Sequence, residues 1–344
     1  MNKILNLKFL IIAGSIFLGT LVVLLTTGIY NPSWNPFTFA SQRNLNKAIG
    51  KMTTLDNLKT QGNVWVEVTT VDKEKKPITL NFSFNPSVSA DFKNKKGLSD
   101  FNLTGEIGGL SVSFDGEIRL VNDEFYFQIK NLSVLLSYMG MGKFQDKWIK
   151  LSSTSTPAEG EKNQGKEKIK EFFKEVMNEL KRKEIIKVKR NLGEEKVDGI
   201  QCSHYLVILD NKNLKDIALL SLGKVKDFLS EEEKKEYEEK LKGVEKDLPQ
   251  KFDEFSQKFG EISFEIWIDK ESRVKKIKGE KEIDLTKLIE GKEGKIKIGL
   301  DFNLFDFDKE VKVEIPKDSI PLEDIIPKET LKSSTSKLIE SQIK

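Results

Sequence analysis

The chain has 344 residues, 38% hydrophobic and 32% charged, with Lys+Arg 57 against Asp+Glu 54 and a formal net charge of +3. Charges of both signs are interleaved along its length, so the electrostatic footprint that nucleic-acid binding needs is missing. One cysteine, Cys202, and one histidine, His204, exclude an intramolecular disulfide, most zinc sites and most Cys-His or Ser-His-Asp nucleophile systems.

The first element is an uncharged run from Phe9 to Tyr30, long enough to cross the bilayer as one helix, since about 20 apolar residues span the hydrocarbon core. Lys3 and Lys8 precede it and the next basic residue is Arg43, which puts residues 1–8 in the cytoplasm and the body of the chain outside the cell membrane. Tyr30 and Trp34 stand where the helix would leave the hydrocarbon. The rival reading is a cleaved signal peptide, but the run exceeds the usual apolar core and the nearest small-residue site, Thr38-Phe39-Ala40, lies well downstream. No cysteine stands in or just after the run to carry a lipid, so the helix itself is the expected single-pass anchor, followed by a linker over 31–42.

A helix is predicted over Asn44–Leu58, with Leu45, Ile49, Met52 and Leu55 near one face. Period-two alternation then predicts strands over Val64–Thr70, Ile78–Phe84, around Phe101, Leu103 and Ile107, and over a hairpin at 110–130 turning at Asn122-Asp123. A short strand is expected at Lys147–Leu151, followed by an exposed Ser/Thr/Gly-rich connection over 152–165. Lys166–Arg182 reads as a strongly amphipathic helix carrying Phe172, Phe173, Val176 and Met177. Strands return at Ile185–Lys189 and Gly199–Leu209, then helices over Leu214–Phe259, with a capping box at Ser230 and Glu233 and a break at Leu248-Pro249. The last strands are expected at Ile262–Ile268, Arg273–Lys278, Ile296–Leu304 and Val311–Ile315, before a polar tail over 317–344.

Roughly ten short strands with one apolar face each imply an antiparallel α+β architecture, in which a curved sheet wraps the amphipathic helices. Four stretches then resemble the LolA-like superfamily, the lipoprotein carriers and LppX/LprG-type lipid-binding proteins: GNVWVEV (62–68), DKWIKLS (146–152), VDGIQCSHYLVILD (197–210) and FEIWIDKESRVKKI (264–277). The resemblance spans roughly residues 41–327 and implies an unclosed β-barrel with helices plugging its mouth, here as one domain over 43–316. It also implies a lipid or acylated ligand. The missing lipobox cysteine and the retained helix depart from the family pattern and speak against a freely diffusing shuttle.

His204 and Cys202 share parity with Ile200 and Leu206, which predicts that both point at the core, with His204 as a hydrogen-bonded structural residue and Tyr205 on the opposite face. Trp65, Trp148 and Trp267 fall out of phase with the apolar positions, as a cross-strand aromatic cluster or a partner surface would require. The charged run Ser230–Lys246 reads as a solvated helix face. The triplets at Asn81, Asn102 and Asn131 match glycosylation acceptors, but two lie within predicted strands. No phosphate loop, metal spacing or catalytic pair is present in the sequence, so the expectation is a protein without enzymatic activity or cofactor. The expected ligand lining is Phe172, Phe173, Val176, Met177, Phe114 and Phe127, against the plainer reading that these residues pack a core. The leading function is a membrane-anchored extracytoplasmic binding protein for a lipid, acyl chain or lipidated peptide. The alternative is an envelope interaction or sensor module with a protein partner, presenting outer positions such as Tyr205 or Trp267.

Overall fold

Alternating apolar and polar residues build most of the described strands. The computed structural model describes residues 40–71, 77–107, 109–121, 124–138, 140–151, 185–216, 249–288 apart from 251 and 255, and 293–325. The candidate membrane helix at 9–30, the amphipathic helix at 166–182 and most of the helical stretch 214–259 lie outside these residues. Among the described residues no helix is long and apolar enough to cross a membrane. Among the described residues strands dominate and helices are few. The chain forms two compact units, one holding residues 55–154 and 291–344, the other holding 27–54 and 155–290.

In the first unit the strands are β1 (Asn57–Val71), β2 (Pro77–Asp91), β3 (Lys96–Ile107), β4 (Leu110–Val121), β5 (Glu124–Leu132), β6 (Trp148–Leu151), β11 (Gly294–Phe305) and β12 (Ser319–Pro321). Their order is β12-β6-β5-β4-β3-β2-β1-β11, and all neighbours but one are antiparallel. The exception corrects the expectation of a purely antiparallel sheet. β12 runs parallel to β6, with Ile320 opposite Ile149. Pro321 suits this edge because it has no N–H to offer a further strand.

In the second unit β7 (Ile186–Val197), β8 (Ile200–Leu209), β9 (Ser263–Asp269) and β10 (Val274–Asp284) pair in the order β10-β9-β8-β7. The β7–β8 hairpin turns on Asp198 and Gly199, both at positive φ of 49° and 77°, the Asp-Gly chemistry of a two-residue turn. Helix α1 (Ala40–Met52) covers these strands with Leu45, Ala48, Ile49 and Met52, a stripe at helical spacing. Short helices α2 (Val134–Tyr138), α3 (Leu285–Leu288) and α4 (Leu322–Ile325) and a 3-10 turn at Met141–Phe144 complete the named elements.

Two sequence expectations are corrected here. The first helix ends at Met52, where Thr53 and Thr54 donate back to Ile49 and Lys51; Leu58 keeps the helical spacing but is a buried residue of β1. Val311–Ile315 forms no strand although Val311 is buried. Alternation asks only for one buried side, and the extended segment meets it without a ladder while its Glu314 carbonyl accepts from Arg119 Nη1 at 2.9 Å.

Candidate functional site

Cross-strand register brings the apolar residues of the first unit onto one face. Leu300 pairs with Val64, Val64 with Phe84, Phe84 with Leu103, Leu103 with Phe114, and Phe114 with Leu132. A second row runs Ile298, Val66, Phe82, Gly105 and Val112. With eight strands at about 4.8 Å spacing the face is roughly 34 Å across. Phe101 is its centre: its ring lies 5.7 Å from Phe84, 5.6 Å edge-on from Phe114 and 6.3 Å in a near-parallel stack from Phe127. The expected lining residues Phe114 and Phe127 therefore meet across this cluster. Phe172, Phe173, Val176 and Met177 lie outside the described residues.

This face is only half covered. Phe82 and Phe84 are each 38% exposed, and Phe125 is 49% exposed. Two glycines shape its floor: a Cβ at Gly105 would crowd Phe82 and Val112, and one at Gly116 would run into the ring of Phe101. Nothing in the sequence alternation alone singled out Phe101 or Phe82, because an inward Phe over an inward Gly becomes legible only once register is known.

The opposite face is polar. Its residues form a hydrogen-bonded ladder across five strands, β1 to β5. Ser83 donates to Asn63 Oδ1 at 2.9 Å, Asn85 Nδ2 to Asn102 Oδ1 at 3.2 Å, and Asn102 Nδ2 to Asp115 Oδ1 at 2.6 Å. Asn131 of β5 completes it, donating to Asp115 Oδ2 at 2.8 Å. These two amide hydrogen bonds, Asn102 first, hold the Asp115 carboxyl below its ordinary pKa. They also occupy the side-chain nitrogens of two of the three glycosylation-like triplets. A bulge opposite Asp115 and Gly116 leaves Lys130 without a ladder partner and frees its ammonium to reach Asp100 and the buried Glu117, both at 2.6 Å. Glu117 is held from its other side by Arg119 Nε at 2.5 Å.

Trp65, Trp148 and Trp267 each pack against different neighbours. Trp65 lies against Gly299, Trp148 lies under the Arg119 guanidinium at 4.4 Å, and Trp267 stacks on His204 with centroids 4.1 Å apart. His204 faces two carboxylates, Glu265 Oε2 at 2.7 Å from Nε2 and Glu195 Oε2 at 3.1 Å from Nδ1, and Trp267 Nε1 donates to Glu195 at 2.9 Å. A carboxylate oxygen thus lies beside each ring nitrogen. His204 thereby links β8 to Glu195 of β7 and Glu265 of β9.

The parity expected for β8 is reversed in part. Tyr205, Val207 and Leu209 face α1, and Asn44 Nδ2 donates to the Tyr205 hydroxyl at 2.9 Å. Cys202 is buried on the other side with Val197 and Trp267, while Ile200 is exposed. Tyr205 and Trp267, taken from the sequence as outer positions for a partner, are 4% and 5% exposed and offer no such surface. A small polar pocket lies beside Cys202, lined by Asn44, Lys47, Glu194 and Lys270 among others, with a volume of about 170 Å³. Among the described residues no three metal-ligating side chains converge.

No protein-family model matches the chain and no curated protein matches it. Among solved structures it is similar to the lipoprotein LppX of Mycobacterium tuberculosis, at 12% identity and a TM-score of 0.33, over 80% of this chain and 98% of that one. LprF of Mycobacterium bovis gives 12% identity and 0.34, over 80% and 96%. A DUF1329 family protein from Desulfovibrio piger gives 10% identity and 0.17, over 80% and 96%. Scores of this size carry no inference about ligand or activity.

Proposed function

We propose that the chain is a membrane-anchored extracytoplasmic binding protein that holds a lipid, an acyl chain or a lipidated peptide against the apolar face of β1–β6 and β11. The observation that carries this reading is the half-exposed ring cluster of Phe84, Phe101, Phe114 and Phe127 on a sheet whose other face is polar and laddered. Apolar side chains in that state are stabilised by an apolar partner at about 25 cal/mol per Å² removed from water. Phe172, Phe173, Val176 and Met177 of segment 166–182 are the further ligand-lining residues that the sequence offers, of side-chain types adaptable enough to follow a flexible chain. Residues 9–30 anchor the protein, with the body outside the cell membrane.

The test is photolabelling of the full chain in vesicles with a photoactivatable fatty acid, followed by peptide mapping. The reading expects label on peptides holding Phe84, Phe101, Phe114 and Phe127, displaced by unlabelled fatty acid. Label confined to residues 9–30 would overturn it.

A further inference from the structure

We propose that the segment from Val134 to Phe144 is a membrane-docking tip, which settles into an anionic bilayer interface at one end of the apolar face. The role as an entry point for ligand rests on the function proposed above; the docking itself stands on the following observations.

Helix α2 buries none of its five residues. Val134 is 73% exposed and Tyr138 is 87% exposed, and their i,i+4 spacing puts them on one side of the helix, with Leu135 beside them at 38%. Leu110, at the start of β4, is 62% exposed at the same end of the sheet, because the Ser133 N–H bonds the Ser113 carbonyl at 2.8 Å and ties the root of α2 to that end of β4. An aliphatic surface with a tyrosine at its tip and little polar cover is poorly matched to water and well matched to the headgroup boundary, where Tyr is enriched.

Charge selects the kind of surface. Residues 132–145 contain no carboxylate, and their one charged side chain is Lys143, whose ammonium lies over the Phe144 ring at 4.8 Å. Asp146 and Lys147 follow directly in sequence. Lys143 is thus the tip's own charge, with Asp146 and Lys147 offsetting each other behind it, and an apolar surface bearing one cation and an interfacial tyrosine suits an anionic bilayer. At the other end of the sheet Phe92 is also exposed, but between charged turn residues. The tip also continues the candidate ligand face, since Leu132, two residues before Val134, pairs with Phe114.

The experiment uses the full chain in vesicles of phosphatidylethanolamine and phosphatidylglycerol doped with nitroxide-labelled phosphatidylcholine. Tyr138→Cys is labelled with an environment-sensitive fluorophore, Ser87→Cys on the exposed polar face is the control, and the wild type is the blank because Cys202 is buried. The expected result is a blue shift at 138 and loss of most of its emission to the nitroxide lipid, with neither at 87. Water-like, unquenched emission at 138 would overturn the tip. So would a blue shift without nitroxide quenching, which would mean that protein, a second copy included, covers the segment. Fatty-acid photolabelling on the same samples keeps the two readings apart: label on the β2–β5 peptides without quenching overturns the tip alone, and quenching without label overturns the binding function alone.

Discussion

The ring of Phe101 on β3 lies over Gly116, its register partner on β4, in the space that a Cβ there would need. Phe84, Phe114 and Phe127 then pack around that ring. Gly116→Ala is expected to push Phe101 off its site and to cost about 1–3 kcal/mol, the usual size of overpacking in a filled core. The measurement is the urea midpoint of the full chain. An unchanged midpoint would show that the ring relaxes freely and that the cluster is not set by the glycine.

On the polar face of the same two strands, Asp115 gathers the amides of Asn102 and Asn131. Its folded pKa lies below the ordinary 3.8, so its stabilising contribution is complete above that value and is lost as pH falls below it through the depressed folded value. Asp115→Asn should therefore be less stable than the wild type near neutrality, and the gap should close as pH falls below the ordinary carboxylate range. Urea midpoints measured against pH would show it; a gap independent of pH would mean that the ladder does not depend on the carboxylate charge.

How much of this was legible in the sequence follows from where one face is wet. Val64, Val66 and Val68 alternate with polar residues, and so do Val112, Phe114 and Ile118, so period two gave their strands and faces directly. β8 was harder. Its second half, Tyr205 to Leu209, is apolar in both phases, and burial of Cys202 on one side and Tyr205 on the other shows both faces covered. Where α1 lands decides which phase faces the core, and no local pattern encodes that. The site divides in the same way: Phe114 and Phe127 were readable from alternation, whereas Phe101 as the hub needed register, and the short exposed helix α2 needed burial. Gln42 was invisible for a related reason. A polar residue on a predicted linker gives no sign that it will be buried against a strand.

Gln42 is in fact what joins α1 to the edge of β7. Its Oε1 accepts from the Val188 N–H at 2.7 Å and its Nε2 donates to the Ile186 carbonyl at 3.1 Å, the pair of bonds that a neighbouring strand would supply. Nε2 also reaches Asn46 Oδ1 at 2.9 Å. Gln42→Leu leaves two backbone groups without partners beneath a helix, and the expected loss is about 2–3 kcal/mol. Gln42→Glu keeps an acceptor for Val188 but sets a carboxylate against the Ile186 carbonyl, and should be worse at neutral pH than in mild acid. Equal stability of Gln42→Leu and the wild type by denaturant titration would show that water replaces the amide at no cost.

Trp267 seals the small buried cluster that holds Cys202 and Val197. Burial first, and then the Asp269 carboxylate, push the Cys202 thiol up, so both access and thiolate population keep it unreactive in the folded chain. Trp267→Phe keeps an aromatic ring against His204 but loses the indole bond to Glu195, an expected cost of about 0.5–1.5 kcal/mol with the thiol still protected. Trp267→Ala opens the cluster as well, with an expected cost of about 3–5 kcal/mol. The discriminating measurement is the rate at which a disulfide reagent titrates Cys202, the chain's one thiol, under native conditions. Fast reaction in the alanine variant and slow reaction in the phenylalanine variant is the expected pair. Equal rates in both would show that the strands, rather than the indole, shield the sulfur, and would move the protecting role to the β7–β8 hairpin.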